Sequence, residues 1–381
     1  MSSSVSIRHL RRLSTTASTT SATKSSSISI SKAKSKLRSE YDPDKALEIY
    51  SSVSKHYCSP TSSRYAQDLT VRRLAKSRRF TDIETLVESH KSDPKIKEEP
   101  YLSTLIRSYG LAGMFDHAMR TYEQMDDLGT PRSVISFNTL LSACNHSKMF
   151  DKVPVLFNDI PKKYGVSPNK ITYGILAKAY CEAGSPEKAI ETLREMEDKG
   201  VEITAVTFTT IFDALYKKGR SEEAEQLWNK MEKKGCELDV AAYNVRIMHS
   251  QGGKPEKNGM MDEARKVYEG LEEHECNPNA ATFRTFIYYL CRNGDYERGY
   301  KVFKTSVHMH RIPDFNTMKH LVEGLVKTKK TKEAKGLIRT IKKKFPPNVL
   351  NSWKKIEEDL GLASASDASL TPEDEDEEAA A

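Results

Sequence analysis

Apolar and polar residues follow a helical period through most of the chain, and the stretch Val206–Asp239 displays the unit. Phe208, Ile211, Phe212 and Leu215 fall on one face of a first short helix. Ala224, Leu227, Trp228 and Met231 fall on one face of a second. Gly219 punctuates the join, and Gly235 stands where a left-handed cap would end the second helix. A single hairpin of this kind cannot bury both apolar faces, so it needs neighbours of its own type.

The neighbours are present at a nearly fixed spacing. The small residue that opens each second helix recurs at Ala118, Val153, Ala189, Ala224, Ala264, Gly299 and Ala334, in steps of 35, 36, 35, 40, 35 and 35 residues. A second ruler, Met125, Ile160, Met196, Met231, Leu271, Ser306 and Ile341, gives the same series. A weaker copy at 64–98 extends the array upstream, and Asp44–Val53 reads as half of another. A fixed period of this length predicts an all-α fold, an α-solenoid superhelix in which each hairpin stacks on the next. The expected units are 64–98, 99–133, 134–169, 170–204, 205–239, 240–279, 280–314 and 315–349. A partial capping repeat at 40–63 precedes them and a capping helix at 350–362 follows.

The text of the units, such as SFNTLLSAC at 136–144 and ITYGILAKAYCEAGSPEKAIETLREMEDKG at 171–200, resembles the pentatricopeptide repeat family. The resemblance covers 64–349 in register, and the Phe137-Asn138 and Tyr243-Asn244 openings favour it over the 34-residue tetratricopeptide unit. It implies a right-handed helix–turn–helix solenoid that binds single-stranded RNA along the first helices, about one base per repeat.

Local departures are informative. The unit at 240–279 is five residues longer, the excess falling in HSQGGKPEKNGMM. Its Gly-Gly-Lys lacks the following Ser or Thr and the preceding strand of a phosphate loop, so it reads as an enlarged turn carrying Lys254 and Lys257. Pro154 falls in a second helix and is expected to bend or shorten it. Cys181 and Cys291 share one repeat position, and Cys236 and Cys276 another. With no C-x-x-C, neither disulfides nor metal are implied. His274-Glu275-Cys276 lacks the spacing and the second half of a zinc deaminase motif. Relatives that carry editing or nuclease chemistry do so in added carboxyl-terminal domains, and only about 30 residues follow the array here. No catalytic residue, cofactor, metal or small-molecule substrate is expected.

Charge then divides the chain. Its net charge of +7 over 381 residues hides three regimes. Residues 1–39 hold eight Lys/Arg and no acid; with their Ser and Thr they read as an organelle transit peptide and linker. Val5, Ile7, Leu10 and Leu13 lie largely apart from Arg8, Arg11 and Arg12 on a helical wheel. That pattern points to the mitochondrial matrix, with the chloroplast as the alternative. Residues 357–381 hold ten acids and no base, and 363–381 read as a disordered acidic tail. The remaining middle, 52 bases against 43 acids, suits a polyanion. No apolar run is long enough to span a membrane.

The resemblance also implies which residues read RNA: a polar residue early in the first helix, together with the last residue of the unit. Carried over, Thr209 with Asp239 reads guanine, and Asn138 with Asn169 and Asn244 with Asn279 read pyrimidines. Ser103 with Ser133, Gly174 with Thr204, and Arg284 with Asp314 give no clear base. The side chains expected to sandwich bases are Ile135, Ile171 and Val206, shrinking to Ala241 and Ala281 and becoming Asn316. Helix capping is the other reading of these Asn and Asp residues. Three scattered readers supply roughly 3–9 kcal/mol of discrimination at about 1–3 kcal/mol per base.

Basic clusters are denser: Arg72, Arg73, Lys76, Arg78 and Arg79, then Lys327, Lys329, Lys330, Lys332 and Lys335, continued by Lys342, Lys343 and Lys344. With Lys217 and Lys218 they are candidate phosphate contacts to folded RNA. A short array with a degenerate code and a mitochondrial address resembles the plant pentatricopeptide proteins built into the mitochondrial ribosome. The expectation is therefore an RNA-binding ribosomal component of the small subunit, with rRNA favoured over mRNA and ribosomal proteins as partners. A transcript-specific factor for stability, processing or translation is the alternative, and a protein–protein scaffold a second.

Overall fold

The helical period is realised throughout the residues described by the computed structural model, 28–53, 60–233, 239–249, 277–344 and 347–362. In chain order the helices are α1 (Ile30–Ser39), α2 (Pro43–Ser51), α3 (Pro60–Lys76), α4 (Phe80–Ser89), α5 (Glu99–Leu111), α6 (Phe115–Glu123), α7 (Val134–His146), α8 (Lys152–Tyr164) and α9 (Lys170–Glu182). They continue as α10 (Pro186–Asp198), α11 (Ala205–Lys217), α12 (Ser221–Lys233), α13 (Val240–His249), α14 (Ala280–Arg292), α15 (Tyr296–His308), α16 (Phe315–Lys327), α17 (Thr331–Lys344) and α18 (Pro347–Asp359). No strand occurs among the described residues; one isolated parallel bridge joins Ile28 to Val53. The fold is all-α, built from tandem helix–turn–helix repeats.

Both rulers are core positions. Ala118, Val153, Ala189, Ala224, Gly299 and Ala334 are buried, and so are Met125, Ile160, Met196, Met231, Ser306 and Ile341. Each small residue lets its second helix close onto the first. Burying each Met or Ile contributes roughly 1.5–3 kcal/mol. The period therefore records which side chains leave water.

The turn between the two helices is equally regular. A left-handed residue ends the first helix at Arg78, Gly113, Lys148, Gly184, Gly219, Gly294 and Lys329. Three of these positions hold a long basic side chain where glycine is the unstrained choice.

The described helical array starts at Ile30, inside the stretch assigned from sequence to address and linker. Ala33 and Leu37 of α1 are fully buried with Ala46 and Ala66. Arg73 on α3 ties the turn down, donating Nε to Glu40 O at 2.9 Å and Nη2 to Leu37 O at 3.0 Å. A basic, Ser-rich composition hid this because only two small patches of apolar surface are buried.

Pro154 does not bend or shorten α8. It lies in the first turn, where its missing N–H has no intrahelical acceptor, and α8 keeps thirteen residues. The interior proline is Pro161, one turn before the left-handed Gly165.

The helices group into two compact units, one closing at Ala179 and the other opening at Tyr180, within α9. In the first, α5 and α7 approach so closely that a β-carbon on Gly110 would lie 2.5 Å from the Ala143 backbone. In the second, Trp353 of α18 is buried and meets Phe315 edge-on at 4.9 Å, closing the core formed by α16 and α17. Gly235, Cys236, the enlarged turn with Lys254, Lys257, His274, Glu275 and Cys276, residues 1–27 and the acidic tail lie outside the described residues.

Candidate nucleic-acid interface

The caps of the first helices set the geometry of the interface. The side chains of Ser133, Asn169, Thr204, Asp239, Asn279 and Asp314 each accept a backbone N–H from the first turn of the following helix. These are the residues expected to close each reading pair. Capping fixes where the next helix begins, and so fixes the reader one turn further in.

The six pairs then differ. Asn138 donates Nδ2–H to Asn169 Oδ1 at 3.3 Å, and its own Oδ1 accepts from Thr172 Oγ at 2.7 Å. Asn244 and Asn279 make the same contact at 3.5 Å. Thr209 donates its hydroxyl to Ala205 O at 2.8 Å, so it faces a ligand as an acceptor. Asp239 is acceptor-only when ionised, and the two together suit the N–H donors of a guanine edge. Gly174 has no side chain, and Thr204 spends its hydroxyl on Thr207. Arg284 faces the opposite charge of Asp314 at 4.0 Å.

Ser103 is corrected by the structure: it is only 7% exposed, and its hydroxyl lies within the packing of α5. Its expected partner Ser133 is instead bound by its backbone N–H and hydroxyl to Glu99, both at 2.7 Å. Ser136 N adds a third bond to the same carboxylate at 2.9 Å. Burial opposes the charge on Glu99, but the bonds from Ser133 and Ser136 outweigh it and hold the carboxyl below its ordinary range.

The flanking positions are conspicuous. Ile135, Ile171 and Val206 are 51%, 57% and 67% exposed, one residue past the start of their helices. Large β-branched side chains held in water one turn before a polar reader can sandwich a planar base. Asn316, also exposed, offers no such face.

The candidate phosphate contacts divide as sharply. Arg73 is committed to backbone carbonyls, and Arg79 pairs with Asp44 and Asp82. Lys218 holds Gly184 O, Lys217 pairs with Asp213 at 2.5 Å, Lys330 with Glu297 at 2.5 Å and Lys342 with Glu357 at 2.7 Å. Lys343 is exposed in the last turn of α17. Arg72, Arg78 and Lys329 are exposed and form no carboxylate ion pair among the described residues. Sequence reasoning missed Lys178. Partial desolvation, then the positive charges of Arg107, Lys178 and Arg72, hold the His146 imidazole below its ordinary pKa, so cationic potential converges there. No periodic signal marked Lys178, because only the stacking of α3, α5, α7 and α9 puts these cations side by side.

Other chemistry is sparse among the described residues. Burial pushes the thiols of Cys144, Cys181 and Cys291 up to about 11, 12 and 12, which keeps them protonated. No group of three His, Cys, Asp or Glu side chains there could hold a metal ion. No described helix is long and apolar enough to cross a membrane.

Comparison with known proteins follows the same register. A model described as the PPR repeat family matches residues 132–182, 178–217 and 204–248, and one described as PPR repeat matches 102–130 and 281–306. The Arabidopsis thaliana small ribosomal subunit protein mL103 (rPPR7) is 60% identical, covering 96% of this chain and 97% of that protein. The pentatricopeptide repeat-containing protein At2g18520, mitochondrial, also of Arabidopsis thaliana, is 53% identical over 96% of this chain and 94% of its own. The crystal structure of the pentatricopeptide repeat protein PPR10 with an 18-nt psaJ RNA element is 17% identical with a TM-score of 0.49, covering 93% of this chain and 52% of that one.

Proposed function

Because the chain belongs to the pentatricopeptide repeat family, we propose that it is a non-enzymatic, RNA-binding structural component of the plant mitochondrial ribosome, in the small subunit, contacting rRNA. The observation that carries this reading is the 60% identity, over nearly the whole of both chains, to a protein named as a small ribosomal subunit protein. The interface geometry supports it. Two reading pairs are closed on themselves, one reader is buried and another is a glycine, which leaves little base-by-base discrimination. The exposed cations Arg72, Arg78, Lys178 and Lys329 suit phosphates of folded RNA, where shape governs recognition. In this reading the protein works in the mitochondrial matrix with ribosomal proteins and rRNA as partners, without a membrane anchor or small-molecule substrate. The described array begins at Ile30, and in this reading the address lies among the basic residues before it.

Ultraviolet crosslinking of the tagged protein in intact plant mitochondria, followed by gradient sedimentation, tests the proposal. Co-sedimentation with the small subunit and reads concentrated in folded rRNA are expected. A single short footprint in one messenger without rRNA enrichment would overturn it in favour of a transcript-specific factor. Recovery of no RNA would favour a protein scaffold.

A further inference from the structure

A cavity of about 420 Å³ opens in the second unit between the consecutive first helices α14 and α16, with the start of α15 as its floor. It is lined by Tyr288, Arg292, Tyr296, His320, Glu323 and Lys327, together with Cys291 and Gly324. Its volume falls in the range of small-ligand sites. Gly324 makes the floor possible. A β-carbon there would lie 1.9 Å from the Tyr296 ring, so the glycine lets that ring pack close against α16.

The lining brings aromatic rings and basic side chains together around one acid. Tyr288 is 44% exposed. Arg292 and Lys327 are exposed and form no carboxylate ion pair among the described residues. The one acid, Glu323, is engaged by its own helix, 3.6 Å from the Lys319 ammonium and 3.5 Å from His320 Nδ1. An exposed aromatic face beside two unneutralised cations is what a stacked base and its phosphate require.

Position strengthens the argument. Arg284, Tyr288 and Arg292 follow one another at four-residue intervals on α14, so Tyr288 lies about 6 Å along the helix from the reading position. The reading machinery fails in these repeats: Arg284 faces Asp314, and Ala281 and Asn316 replace the large apolar flanks. We propose that the cavity binds a single ribonucleotide of the bound RNA, its base stacked on Tyr288 and its phosphate held by Arg292 and Lys327. This rests on the RNA-binding reading above. RNA engagement thereby passes in the last repeats from base-edge reading at the helix start to nucleotide capture further along the same face.

Photocrosslinking of the full chain to a 5-iodouridine-substituted oligoribonucleotide, with tryptic mass spectrometry, tests the site. An adduct on the peptide Thr285–Arg292, lost in Tyr288→Ala, is expected. The double variant Arg292→Gln/Lys327→Gln should bind the same oligonucleotide at least tenfold more weakly. The charge-matched control Lys301→Gln/Lys304→Gln on α15 should stay within about twofold. Circular dichroism checks that each variant is folded. Retained salt-sensitive binding with no adduct on 285–292, and with the double variant within about twofold of wild type, overturns the pocket while leaving RNA binding intact. Suppression of the adduct by micromolar uridine monophosphate would make the occupant a free nucleotide and overturn the proposal as stated. Absence of any salt-sensitive binding removes the RNA reading and the pocket with it.

Discussion

Asn138 donates its side-chain N–H to Asn169 Oδ1 at 3.3 Å, and that same oxygen caps α9 by accepting from Ile171 N and Thr172 N at 3.0 and 3.1 Å. One atom thus serves the fold and the candidate reading site. Asn169→Ala should cost about 1 kcal/mol of stability through the lost cap. Asn169→Ser should restore the cap but not the contact to Asn138. Urea denaturation of the two variants, beside their preference for pyrimidine over purine oligomers, separates the roles. Wild-type preference in the serine variant would mean that the pair does not read bases.

Lys329 adopts φ 61°, where Gly219 and Gly294 stand in their own repeats. Lys329→Gly should relieve the strain and raise stability by about 0.5–1 kcal/mol. It should also weaken RNA binding at low salt and flatten the salt dependence. Unchanged affinity across a salt titration would remove Lys329 from the phosphate contacts.

Glu99 is held below its ordinary carboxylate pKa by Ser133 and Ser136 despite burial. A depressed folded-state value means that its stabilisation is complete above the unfolded pKa, near 4.5, and is lost as pH falls through the lower folded value. Wild-type stability should therefore drop more steeply below about pH 4.5 than that of Glu99→Gln. Parallel acid-denaturation curves for the two proteins would contradict this assignment.

Removal of the proposed transit segment should spare α1. Ile28 N bonds to Ser52 O at 3.0 Å, and Leu37 and Glu40 are held by Arg73. Amino-terminal sequencing of the protein recovered from mitochondria should find a start before Ile28. A chain truncated at Tyr41 should melt at lower temperature, because it uncovers Ala46 and Ala66. A mature start beyond Leu37 in a protein of undiminished stability would show that α1 is dispensable.

Sequence reading succeeded where a repeat position has one physical job. Residues such as Ala118 and Met196 recur because the hairpin closes only when they are buried, and Gly219 marks the join because the turn demands a left-handed residue. It failed where a residue has two possible partners. Ser133 was legible as a polar unit-closing residue, but its capture by Glu99, 34 residues earlier, was not. Arg73 and Arg79 were legible as charges, and their commitment to Glu40 O, Asp44 and Asp82 was not. Pro154 was legible as a helix breaker, yet its effect depended on a helix start that only the fold defined.

By itself, then, the sequence determined the repeat, its period, the all-α class and the family, because burial and turn geometry act within one hairpin and repeat with it. Only the tertiary structure decided which candidate cations are already paired, which candidate readers are closed on themselves or buried, and that Tyr288, Arg292 and Lys327 surround one cavity. Those outcomes depend on side chains from neighbouring repeats meeting at distances of a few ångströms. Periodicity along a chain places such residues in the same register but does not choose their partners.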